Sequence, residues 1–198
     1  MSVSLVARAD YTILFQSYDA FLTNPVFDID GTTMIAGDVA SVSPGASGFV
    51  GRLFVAPVGG TLAAIGTGST PFATLASGAA GFVDGATIPV TDAVLNAGDA
   101  ADYRFRVWTS LVNGNPVSSF AQALATPGAV VGESALTRIT ALGGTVPGVG
   151  GGPGTGVAAT ANLHSGFTLS VVPAAVPEPS VLALGLLGGA ALLLRRRK

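Results

Sequence analysis

The chain has 198 residues, 49% hydrophobic and 10% charged, with 28 glycines, 12 prolines and no cysteine. That composition excludes disulfides, thiolate metal sites and a cysteine nucleophile, and its recurring aromatic and β-branched residues exclude a disordered chain. The formal charge of −2 divides into −5 over residues 1–176, which hold no lysine, and +3 over residues 177–198, and so acidic a body excludes nucleic acid as a partner.

An exported protein begins with a charged segment, an apolar run and a small-x-small cleavage site. Met1-Ser2-Val3-Ser4-Leu5-Val6 is too short for that run and has no positive start, yet Ala7-Arg8-Ala9 fits the cleavage pattern. Residues 1–9 are therefore expected to be the remnant of a signal peptide, with a mature chain starting at Asp10. A chance Ala-x-Ala in an alanine-rich protein is the competing reading. Tyr11 to Tyr18 predicts a strand. Asn24-Pro25 and Asp30-Gly31 supply turns around Val26-Phe27. Gly48 to Val55 predicts a strand ended by Pro57 and Gly59-Gly60, with Thr61 to Ile65 returning as a hairpin partner. Pro71 to Leu75 and Gly81 to Val83 predict short strands. Asp84-Gly85 predicts a type I′ turn into Thr87 to Thr91, which Pro89 confines to an edge.

The clearest alternation runs from Asp102 to Leu111. Tyr103, Phe105, Val107, Thr109 and Leu111 share one face, and Arg104, Arg106, Trp108 and Ser110 the other, as in a central strand. Asn113-Gly114 closes it in a turn, and Val117, Phe120 and Leu124 follow Asn115-Pro116 at helical spacing. Ser134 to Leu142 alternates again. Residues 143–156 are so rich in glycine that they predict a flexible loop. Thr160 to Val172 predicts the final strand, with Leu163, Phe167, Leu169 and Val171 opposite His164, Thr168 and Ser170. Short alternating strands with Gly/Pro turns predict an all-β fold, an antiparallel β-sandwich over residues 10–172. No internal repeat points to a solenoid or propeller.

Chemistry-bearing residues are few. His164 is the only histidine, on the polar face of a strand, and Gly45-Ala46-Ser47-Gly48 and Gly132-Glu133-Ser134-Ala135 both fail the G-x-S-x-G elbow. Glu133 is the only glutamate before the tail, and its clustering with an aspartate in a cleft would favour glycosidase chemistry. Asp92, Asp99 and Asp102 read as turn and solubility residues. Asp28-Ile29-Asp30-Gly31 has the alternating acids of a calcium loop, but its glycine comes too early and no glutamate follows at the twelfth position. Gly148 to Pro153 fails the dinucleotide fingerprint because proline takes its sixth position. No metal or cofactor is expected. Trp108 with Arg104 and Arg106 forms the remaining candidate, a platform for a carbohydrate or a partner protein. The reading preferred over it puts that face inside the fold with Trp108 as core.

The tail decides where the chain goes. Residues 173–175 form a short linker, stiffened by Pro173, and Val176-Pro177-Glu178-Pro179 cannot be helical through Val176 and Glu178. Residues 180–194 are predicted to be a single C-terminal transmembrane helix. Val181 to Leu194 spans roughly 21 Å, counting from Pro177 gives roughly 27 Å, and snorkelling arginines extend the reach. Arg195, Arg196, Arg197 and Lys198 belong on the cytoplasmic side by the positive-inside rule, which leaves the body outside. A buried helix of a soluble protein is the competing reading, but it leaves four adjacent charges capping a helix apolar on every face.

Motif, apolar run and basic cluster, in that order over residues 176–198, closely resemble the PEP-CTERM sorting tail of exopolysaccharide-producing Gram-negative bacteria. The resemblance implies Sec export, anchoring in the inner membrane, and processing near the motif by an exosortase, a membrane-embedded cysteine transpeptidase-like enzyme. Its recognition residues would be Pro177, Glu178 and Pro179, with Arg195 to Arg197 as retention charges. The expectation is a non-enzymatic cell-envelope protein, delivered to the cell surface or to an extracellular matrix where exopolysaccharide is a partner. The alternatives are a secreted polysaccharide-acting hydrolase and a small carbohydrate-binding module.

Overall fold

The computed structural model describes residues 11–14, 25–65, 70–71, 80–83, 87–90, 94–146, 155–157 and 166–174. In chain order the first strands are β1 (Tyr11–Leu14), β2 (Val26–Phe27), β3 (Ala46–Pro57), β4 (Ala63–Ala64), β5 (Thr70–Pro71) and β6 (Thr87–Val90). They are followed by β7 (Ala101–Val112), β8 (Asn115–Pro116), α1 (Phe120–Leu124), β9 (Val130–Glu133) and β10 (Thr137–Ile139). The last are β11 (Gly143–Val146), β12 (Thr155–Val157), β13 (Phe167–Thr168) and β14 (Ser170–Val171).

Alternation makes β7 the spine. Its Tyr103, Phe105 and Val107 are buried in one core, so the strand has one register that hides them. It pairs antiparallel with β3 from Pro57 opposite Ala101 to Ala46 opposite Val112, and on its other side with β9, β10 and β8. β14 extends the sheet beyond β9, and β4 and β5 pair with β3, giving one large, eight-stranded antiparallel sheet. The β4 pairing places part of Thr61 to Ile65 where a returning hairpin arm was expected. A second sheet runs β12-β11-β1-β6, antiparallel throughout, with Pro89 on its edge strand β6. β2 and β13 form a parallel pair.

The main core draws on both larger sheets: Tyr11 and Ile13 of β1 belong to the same buried cluster as Phe49 and Leu53 of β3 and Phe105 of β7. A smaller cluster, on the other face of β7, joins Trp108 and Val112 to Val117, Phe120, Ala123 and Val131. The turn that delivers α1 to that face is set by Asn113 (φ 50) and Gly114 (φ 77), the consecutive positive φ values of a type I′ turn. Ser119 caps α1, its hydroxyl accepting from the Gln122 N–H at 3.1 Å.

Several expectations need correction. Residues 143–156 are not one flexible loop: β11 is a strand held between β1 and β12, while 147–154 lie outside the described residues. Gly81 to Val83 is a connection, not a strand; the Gly81 N–H donates to Ile35 and its carbonyl accepts from Val26. The partner of Thr87–Val90 is β1. The predicted final strand is broken at Leu169, whose N–H donates to Phe27, so that β13 pairs with β2 and β14 with β9. Among the described residues no helix is long and apolar enough to cross a membrane. The signal remnant 1–9, Asp84-Gly85, Asp92, Gly148 to Pro153, Leu163, His164, and the tail with Val176 to Pro179, the 180–194 helix and Arg195 to Lys198 lie outside the described residues.

Candidate functional site

Directly paired residues of antiparallel strands share a face, so the register writes out the surface that carries Arg104, Arg106 and Trp108. Trp108 lies between Val131 of β9 and Val50 of β3, Arg106 between Glu133 and Arg52, and Arg104 opposite Phe54. Ser170 of β14 pairs with Val131 and continues the same row. α1 covers the Trp108 end of this face.

Trp108 is only 1% exposed. Its indole N–H donates to the Val117 carbonyl at 3.3 Å, and its ring meets Phe120 edge-to-face with centroids 6.2 Å apart. Of the two readings of Trp108 the preferred one, a core residue, is what the structure shows, and the stacking-platform alternative is corrected: α1 closes that end of the face, and the ring is part of a core. Arg104 and Arg106 stay at the surface. The Arg106 guanidinium carbon sits 4.4 Å from the Phe54 ring centre and 5.0 Å from that of Phe120. Its Nε donates to Glu133 Oε2 at 2.9 Å, and Arg104 Nη1 donates to Glu133 Oε1. Glu133 thus bridges two guanidiniums. Among the described residues no acceptor meets the two terminal amino groups of Arg106 or the buried Nε of Arg104.

Beside this cluster lies a groove of about 520 Å³. α1 lines it with Phe120 and Leu124, β7 and β9 with Arg106 and Glu133, and β13 and β14 with Thr168 and Ser170. Gly132 sets the fit of the last two strands: a Cβ there would meet Leu169 Cδ2 at 2.5 Å and Leu169 Cα at 3.4 Å, so a larger residue would make the Leu169 side chain shift. Thr168, Ser170 and Glu133 were not tied to Arg104 and Arg106 by sequence. The signal available was slight: one glutamate in the body, and an Arg-x-Arg on the strand it pairs with.

Among the described residues Asp28, Asp30, Asp99 and Asp102 resolve into structural roles. Asp30 accepts from the Thr33 hydroxyl at 2.6 Å and from the N–H groups of Thr33 and Thr32, and these bonds hold its carboxyl well below the usual range. Asp28, 1% exposed, accepts from the Ser41 hydroxyl and from the N–H groups of Val42 and Ile29. The Asp28 to Gly31 stretch is a hydrogen-bonded turn, and among the described residues no group of three His, Cys, Asp or Glu is placed to hold a metal. Asp99 caps its own turn through the Asn96 N–H. Asp102 corrects its turn-residue expectation: it lies inside β7, 4% exposed, and accepts from Arg138 Nε at 2.8 Å and from the Gly59 N–H at 2.8 Å. The Arg138 hydrogen bond and then the Gly59 N–H lower its pKa, and the same contact raises that of Arg138. Burial pushes the Tyr103 hydroxyl up, against a hydrogen bond with Thr137. Ser134 is buried and structural, accepting from the Phe105 N–H at 3.0 Å.

Compared with models of protein families, with curated proteins and with solved structures, the chain shows no match.

Proposed function

We propose that this chain is an exported, non-catalytic protein of the cell surface or extracellular matrix, sorted through the inner membrane by its tail. The observation that carries the reading is the ordered sequence of Pro177-Glu178-Pro179, an apolar run to Leu194, and Arg195-Arg196-Arg197-Lys198. An all-apolar helix enters lipid favourably while a terminal basic cluster stays on the cytoplasmic side. The charge division supports the same topology, with the acidic body outside and the cations inside. In this reading an exosortase processes the chain near the motif and the body is released to the surface.

We read the body as an antiparallel β-sandwich. The support is the single buried cluster to which β1 of one sheet and β3 and β7 of the other all contribute. A glycosidase gains less support, because the side chains bonded to Glu133 among the described residues are both arginines rather than a second carboxyl group. Replacing Glu178 with alanine tests the sorting reading. The Glu178→Ala chain is expected to fold normally and to accumulate in the membrane as unprocessed precursor. Normal processing of that variant contradicts it.

A further inference from the structure

The sheet face that carries the groove beside α1 concentrates positive charge in a body that is otherwise acidic, although Arg106 and Glu133 are the charged residues of the groove lining itself. Three of the five arginines of residues 1–176, Arg52, Arg104 and Arg106, lie on this one face, against Glu133. Arg104 and Arg106 together outweigh Glu133 by one charge, and the terminal amino groups of Arg106 have no acceptor among the described residues. A guanidinium with its amino edge free is a fork that fits a carboxylate through two parallel hydrogen bonds. Here that fork is already held in place. The Phe54 and Phe120 rings pack against the guanidinium and Glu133 fixes its Nε, so a ligand meets a side chain with little freedom left to lose.

The rest of the lining narrows the ligand. Leu124, 53% exposed, and the Phe120 ring offer apolar surface, which suits the C–H face of a sugar ring. Thr168 and Ser170 bring hydroxyls, and Glu133 brings a partly exposed carboxylate, all suited to ring hydroxyls. Glu133 also sets a limit on charge: a dianion such as a phosphate would sit against it, whereas a single carboxylate is balanced by the excess guanidinium. A volume of about 520 Å³ falls in the ordinary range of small-molecule sites.

We propose that this groove binds an acidic saccharide, one sugar residue presenting its carboxylate to Arg106 and its ring to Phe120 and Leu124. The inference is independent of the sorting reading, since a chain whose tail is never cut would carry the same groove. Trp108 is the only tryptophan in the chain and its ring touches Phe120, so its emission reports on occupancy. The test is a fluorescence and calorimetric titration of the full chain, in a detergent without a sugar head group. The probes are oligogalacturonate, a neutral maltooligosaccharide of equal length, acetate and inorganic phosphate.

Saturable binding of oligogalacturonate, at least tenfold tighter than that of the other three and weakened by added salt, is expected. Arg106→Gln is expected to weaken it tenfold or more. Leu124→Glu places a negative charge at the rim from an exposed helix position, and it is expected to do the same without lowering the Tm. That second variant keeps the test decisive if Arg106→Gln folds poorly. The proposal is overturned if oligogalacturonate does not bind, if the neutral oligomer or a simple anion binds as well, or if Leu124→Glu binds like the parent.

Discussion

The two faces of β7 arise from one alternating stretch yet are held by different means. Toward the main core, Tyr103, Phe105 and Val107 disappear into a cluster shared by two sheets. On the opposite face Trp108 is covered by a five-residue helix, and Arg106 and Arg104 beyond it remain in contact with water, tied to Glu133. The first face enters a buried cluster to which residues of two sheets contribute. The second is closed only as far as α1 reaches, and where the cover stops a groove with charged walls begins. What separates them is the cover: a face capped by one short helix keeps an open border where a site can form.

Truncation on each face should expose this difference. Phe105→Ala removes a fully buried ring from the shared core and is expected to cost about 3–5 kcal/mol in denaturant unfolding. Phe120→Ala is expected to cost less, about 2–3 kcal/mol, because a short surface helix can settle into the space and the ring is already 7% exposed. It should also shift Trp108 emission to the red in the native state, which Phe105→Ala should not. Equal costs, or a red shift from Phe105→Ala alone, would erase the distinction.

Ser119→Ala loosens the cover without touching either core. The loss of its hydrogen bond to the Gln122 N–H is expected to cost about 1 kcal/mol, seen as a lower denaturant midpoint and easier quenching of Trp108. Asp102 gives the smallest effect at neutral pH and the clearest pH signature. Its folded pKa lies below the unfolded value of about 3.9, so the folded state gains from its ionised form. That gain is complete above the unfolded pKa and is lost as pH falls through the lower folded one. Asp102→Asn is therefore expected to be less stable than the parent at pH 7, with the gap closing below about pH 4. A gap that persists unchanged to pH 2 would assign its origin to shape rather than charge.

The main-core side was legible in sequence because burial and alternation coincide there: Asp102 to Leu111 reads as a strand, and the structure makes it the central one. The helix side was only half legible. The type I′ turn at Asn113-Gly114 and the spacing from Val117 to Leu124 announce α1, but nothing local says that the helix folds back over Trp108. The alternation alone therefore leaves the platform and core readings of that ring both open. Gly143 to Val146 shows the converse failure. Four residues with two glycines have little strand preference of their own, and the pairing that makes them a strand comes from β1, distant in sequence, and from β12, beyond residues 147–154. Asp102 was misplaced for a similar reason, since its partner Arg138 is brought opposite it only by the pairing of β10 with β7. The groove depends on four strands and a helix, with Thr168 and Ser170 on one side and Arg106 on the other, and no sequence window contains them together.

The two faces of β7 separate the main core from the proposed groove, while the proposed destination rests on residues 176–198. The most direct test of that destination is the intact mass of the native protein, recovered separately from membrane, medium and cytosol. A membrane precursor together with a surface or medium species lacking the residues beyond Pro179 is the predicted result. A single species that retains Lys198 and is found free in the cytosol would contradict the proposed sorting.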